Sequence, residues 1–154
     1  MSIRNCICAA MLLLAGTAVR GQPPESTTHG YTVFAGGNVV GREAVTVQQT
    51  AEGTTISATG RISGSLDIVI DRAEVRYRPD WTPEAFEIEA TVNGGSTALY
   101  TAFDGETAFT RGVDGGERIE QTDAVPAGSL VLPSVFFGSY AALARQLAGP
   151  LNRQ

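Results

Sequence analysis

No lysine occurs in this chain of 154 residues; all eleven basic residues are arginine, set against sixteen acidic ones for a net charge of −5. The exclusive use of arginine reads as a composition bias of the coding sequence. The acids are scattered rather than run together, and a mild, dispersed negative charge argues against a nucleic-acid or anionic-membrane partner. Histidine occurs once, at His29 in a polar stretch. One imidazole cannot build a zinc site without several other ligands, nor a catalytic triad without a nucleophile and an orienting acid. Cysteine is confined to Cys6 and Cys8. No Gly-x-Ser-x-Gly elbow is present; Gly64-Ser65 and Gly138-Ser139 are isolated pairs. Gly36-Gly37 opens onto a strand-like run rather than a helix, so it is a hairpin and not a phosphate cradle. These absences leave no catalytic residue, no metal-ligand set and no cofactor to expect.

What is present begins with a secretory leader over residues 1–18. Arg4 supplies the positive start, Ile7–Ala15 a short apolar run too short to span a bilayer, and Gly16-Thr17-Ala18 the small residues a signal peptidase reads. Cleavage is expected after Ala18, or as late as Gly21. Export to the periplasm or the extracellular space follows. Both cysteines leave with the leader, so the mature chain has neither a disulfide nor a thiol and depends on packing and sheet hydrogen bonds. It also has no transmembrane segment. Residues 19–29, polar and proline-bearing, read as a flexible lead-in.

From Gly30 the pattern changes to short alternating runs divided by glycine-bearing turns. Val45 and Val47 alternate with Thr46 and Gln48, and Ile56 and Ala58 with Thr55, Ser57 and Thr59. Phe86, Ile88, Ala90 and Val92 alternate with Glu87, Glu89 and Thr91, the cleanest half-buried strand of the chain. Leu66–Arg78 is the longest run and changes phase within itself. Leu66, Ile68 and Ile70 share one parity, while Ala73, Val75 and Tyr77 share the other. A regular strand cannot turn both sets inward; a bulge or break near Asp71-Arg72 reconciles them, or the halves face different layers. About eight short strands with tight connections form an antiparallel meander, because parallel crossovers need longer links. The expected fold is mainly β, a curved sheet or half-barrel within a single domain over residues 30–148.

One amphipathic helix follows, expected over about 134–148 with Ser134 as its N-cap and Gly149-Pro150 as its stop, leaving 149–154 as a tail. Phe136, Tyr140, Leu143 and Leu147 fall on one stripe, which is expected to lie buried on the sheet. Trp81, flanked by Pro79 and Pro83, either stacks a ligand or closes the end of the core. Trp81, Phe86, Ile88, Leu99, Phe103, Phe109, Phe136 and Tyr140 together line either an apolar groove or an ordinary core beneath the helix. The carboxylates do not read as a two-acid hydrolase site, because a raised-pKa acid needs an apolar setting and these lie on the wet side. Glu87 and Glu89 share the polar face of their strand, and Asp67, Asp71, Arg72, Glu74, Arg76 and Arg78 mix signs as cross-strand pairs do.

Three stretches, GNVVGRE at Gly37–Glu43, EVRYRPDWTP at Glu74–Pro83 and VLPSVFFGSYAALARQL at Val131–Leu147, carry a resemblance. In order and spacing they resemble the uncharacterised β-rich domain that precedes an α/β-hydrolase-fold domain in some secreted bacterial proteins, over about residues 30–148. The resemblance implies an accessory domain, here a stand-alone or truncated copy, and carries over no catalytic residue because no position matches one. Meander plus helix is also similar, by architecture alone, to the half-barrels of periplasmic lipoprotein carriers. The expected function is therefore an exported, non-catalytic β domain that binds an apolar, lipid-like ligand or docks a cell-envelope protein. The alternatives are the accessory domain of a secreted serine hydrolase and a purely structural domain without ligand.

Overall fold

Strand pairing runs in chain order. In the computed structural model, which describes residues 25–64, 66–134 and 136–148, eight antiparallel strands form one meander sheet. They are β1 (Glu25–Ala35), β2 (Asn38–Thr50), β3 (Gly53–Ile62), β4 (Ile68–Tyr77), β5 (Pro83–Val92), β6 (Gly95–Asp104), β7 (Thr107–Asp114) and β8 (Glu117–Ala124). The sheet does not close; β1 and β8 are its two edges. The tight links follow from residues that accept positive φ. Asn93 and Gly94, at φ 50° and 82°, form the two-residue reversal between β5 and β6, whose twist matches that of the strands it joins. The leader, both cysteines, residues 19–24 of the lead-in, Ser65 and the 149–154 tail lie outside the described residues.

The phase change in the fourth strand resolves as a bulge. Ile70 pairs with Ala90 and Arg72 with Glu89, so Asp71 is the extra residue. Ile68, Ile70, Ala73, Val75 and Tyr77 consequently all face the same side and are all buried. A second outcome differs from expectation. Residues 25–29, assigned by sequence to a flexible lead-in, belong to β1 and pair with Val45–Gln49. An edge strand exposed on both faces needs no apolar alternation; backbone ladder bonds and contacts such as the 2.8 Å Thr28–Thr46 hydroxyl bond hold it. His29 sits in this strand, exposed, across from Val45.

The two faces of the sheet have different chemistry. One carries the core: Val45, Ile56, Ala58, Ala73, Val75, Ile88 and Ala90, with Phe86, Val92 and Leu99 packed against it. The other is polar. There Arg72 bridges Glu74 and Glu87, each at 3.2 Å, Arg76 holds Glu74 at 3.0 Å, and Arg111 lies 5.5 Å over the Tyr100 ring. Of these three ion pairs only Arg72–Glu87 crosses between strands; the two to Glu74 run along β4. The cross-strand pairing expected of this cluster is largely replaced by pairing within the strand, on a solvated face where each adds little to stability. No helix among the described residues is long and apolar enough to cross a membrane.

The helix departs from expectation at its start. A 3₁₀ turn, Phe137–Ser139, leads into α1 (Tyr140–Ala148), so the α-helix spans nine residues rather than running from position 134. Phe136 sets this limit. Its backbone is extended, at φ −119° and ψ 92°, and no side chain caps the turn. That conformation sends the ring down into the sheet, which a residue inside a continuous helix on this path could not do.

Candidate functional site

The segment after β8 is laid back across the core face in a series of hydrogen-bonded steps. Val125 N–H donates to Glu106 C=O at 2.7 Å, and Ser129 donates its hydroxyl to Pro126 C=O at 2.7 Å. At mid-sheet the Tyr77 hydroxyl accepts from Val131 N–H at 3.3 Å and donates to Val131 C=O at 3.4 Å. The Tyr77 ring in turn tilts against Trp81, centroid to centroid 5.6 Å. Burial raises the Tyr77 phenol above its ordinary value, so it remains a donor at any ordinary pH. Removing the hydroxyl alone, as in Tyr77→Phe, should cost about 1 kcal/mol in urea unfolding. A change of less than a few tenths would mean that this step does not hold the segment.

Beyond Tyr77 the cover reaches β2, where it is most deeply seated. Phe136 is fully buried and joins the core cluster with Val45, Ile56 and Val75. Ser139 Oγ donates to Phe136 C=O at 2.7 Å, which closes the turn around the ring. Gly138 is needed for its lack of a side chain. A Cβ there would lie 2.6 Å from Phe136 Cε2 and 2.7 and 2.8 Å from the two Val45 methyls. Its N–H donates to Glu43 Oε2 at 3.1 Å. Glu43 is only 3% exposed, and its Oε1 has no hydrogen-bond partner among the described residues. Burial pushes this carboxyl up to about 7, although the N–H groups of Gly138 and Phe137 draw it back part of the way.

The eight apolar candidates do not converge on one groove. Ile88 is buried in the core, Phe86 and Leu99 pack against it, and Phe103 is half-buried on the same face further out. Trp81 packs at the end of the core beside Tyr77, with its backbone at φ 66°. Asp80 maintains that tight link by accepting from Thr82 N–H and its hydroxyl at 3.0 and 2.7 Å. Phe109 lies on the polar face, since Ala108 and Thr110 on either side of it turn toward the core side. Phe136 plugs the middle of the core face. Tyr140 stands outside the cover, 51% exposed.

The expected buried stripe is therefore divided. Phe136 is inside, Leu143 is half-buried, and Tyr140 and Leu147 face solvent. The short helix approaches through its alanines instead, with Ala142 fully buried and Ala141 packed against the core. From Ala144 onward every described residue is exposed, so the second half of the helix stands clear of the sheet. This leaves a different row on the outside. Phe137, Tyr140, Ala144 and Leu147, spaced i, i+3, i+7 and i+10, are all exposed, the three large ones at 38%, 51% and 66%.

Around Glu43 stand Val45 on its own strand, Tyr31 across the pairing with β1, and the Gly138 backbone that bonds it. Among the described residues no cluster of histidine, cysteine, aspartate or glutamate is placed to hold a metal ion. On the polar face, Glu87, Tyr100, Arg111 and Arg118 border an open depression of about 470 Å³, where Glu87 is already engaged by Arg72. Sequence reasoning passed over Glu43, although a signal was present, since it shares the inward parity of Val45 and Val47. No protein-family model, no curated protein and no solved structure matches the chain, so what it does has to be read from its own residues.

Proposed function

We propose that this chain is an exported, non-catalytic docking module, which seats a cell-envelope protein on the outer row of its C-terminal cover. The observation that carries this reading is the exposure of Phe137, Tyr140 and Leu147 in one line at helical spacing. An apolar row of this kind is what a helix presents to a groove on a partner. Two features favour a protein over a lipid surface. The chain is net negative, and the only cation of the described helix, Arg145, stands beside the row as a single point of attraction for an acidic rim. The apolar-ligand reading is weaker, because Phe136 already fills the centre of the face where an acyl chain would lie. A hydrolase catalytic domain would be one member of the partner class.

Site-directed photocrosslinking in an envelope fraction tests this. A photoreactive side chain placed at positions 137, 140, 144 and 147 should yield one common adduct, while one at Ala98, exposed on the polar face, should not. Tyr140→Asp with Leu147→Asp should reduce the adduct at 137 by tenfold or more. Adducts that ignore the row, or their absence at all four positions, would remove the docking reading and leave a purely structural domain.

A further inference from the structure

Glu43 sits where the cover enters the sheet face, and its two oxygens are treated unequally. Oε2 accepts the Gly138 N–H at 3.1 Å, while Oε1 is buried without a partner among the described residues. A neutral carboxyl suits that setting better than a carboxylate, because an ionised group there leaves charge in apolar surroundings with only the Gly138 and Phe137 N–H groups to offset it.

The neighbours supply no compensating charge. Tyr31 faces Glu43 directly from β1, and His29 lies on the same side of that strand across from Val45; both are exposed. From β3 the opposing residue is Gly60, flanked on that face by Ala58 and Ile62. Within β2 the same-side neighbours are Gly41 and Val45, since Arg42 and Ala44 turn to the polar face. The cover contributes Phe136–Ser139, none of which is charged, and beyond it the exposed Tyr140 and Arg145. No ion pair to Glu43 occurs among the described residues.

From this geometry we propose that Glu43 is a proton-operated latch for the C-terminal cover. Neutral, it holds Gly138, and through it Phe136, on the sheet. Ionised, it favours the lifted state, in which water reaches the carboxylate and the apolar side of β2 and β3 is bared. With burial holding the shut-state carboxyl up to about 7 and an ordinary value of 4.5 in the open state, the switching range lies between these two. The lifted cover would carry the row Phe137–Leu147 away from the sheet. That consequence for docking rests on the reading above; the latch itself does not.

The test is an NMR titration of the isolated, labelled protein from pH 4.5 to 8.5, with no partner present. The Glu43 carboxyl and the Gly138 amide should titrate together with a midpoint near 7. Amide protection over 136–142, corrected for intrinsic exchange, should fall about tenfold per pH unit between roughly pH 5 and 7. Glu43→Gln should remove the pH dependence of both signals. Gly138→Ala should lower protection of the cover already at pH 5.5, because the added methyl has no room beside Phe136 and Val45. A Glu43 midpoint in the ordinary carboxylate range overturns the latch, as does a midpoint near 7 with unchanged protection. The wild-type titration decides the matter even if either variant fails to fold. Loss of the crosslinks with this titration intact would remove docking and leave the latch; the converse result would do the opposite.

Discussion

Phe136→Ala is expected to destabilise the domain by about 3–5 kcal/mol, the range for deleting a fully buried phenylalanine that cannot be replaced by collapse of its surroundings. The site argues for little collapse. The floor is a hydrogen-bonded sheet through Val45 and Ile56, and the Gly138 backbone closes against the ring. Total stabilities of small domains are about 5–15 kcal/mol, so this one truncation would remove a large share. The adjacent substitution is the control. Phe137→Ala removes a side chain of the same size that is 38% exposed on the outside of the cover and should cost under about 1 kcal/mol. Urea unfolding of the two variants decides which phenylalanine is the plug. Equal losses would contradict the 3₁₀ start at Phe137, because a continuous helix from position 134 would distribute the two rings differently.

That contrast also shows how far the sequence could be read. Turn chemistry and period-two alternation were enough for the meander, since most runs are divided by glycine-bearing turns and the inward sets of β3, β4 and β5 are largely apolar. The phase change in Leu66–Arg78 pointed to its own solution, because only an extra residue lets Ile70 and Ala73 face the same side. The cover was less legible for a physical reason. Between Phe136 and Leu147 two apolar stripes overlap, sharing Tyr140 and Leu147, and periodicity cannot say which faces the sheet. The choice depends on Gly138 and Ala142, whose small size allows a close approach that no hydrophobicity pattern marks. The early start of β1 was hidden for a related reason. A strand at the edge, wet on both sides, is held by backbone bonds that any residue can make.

Glu43 was hidden by its type rather than by its pattern, and it gives the second large effect. The folded protein should lose about 3 kcal/mol of stability as pH rises from roughly 4.5 to 7, a loss absent from Glu43→Gln. The sign follows from proton binding. In the folded state burial holds the proton on Glu43 up to about 7, whereas the unfolded chain releases it near the ordinary value of 4.5. Between these values the unfolded state binds fewer protons, so stability falls with rising pH. The contribution is fully present below the unfolded value and gone above the folded one. Other perturbed groups stay out of this window. Tyr77 and Arg72 are raised from values that already lie well above it, and Asp80 is lowered by its bonds from Thr82 to below it. The difference between wild type and Glu43→Gln across the window therefore isolates one carboxyl. Chemical denaturation at four pH values measures it. A difference that stays flat within about 0.5 kcal/mol would mean that Glu43 reaches water in the native state, and that the cover does not seal the sheet at Gly138.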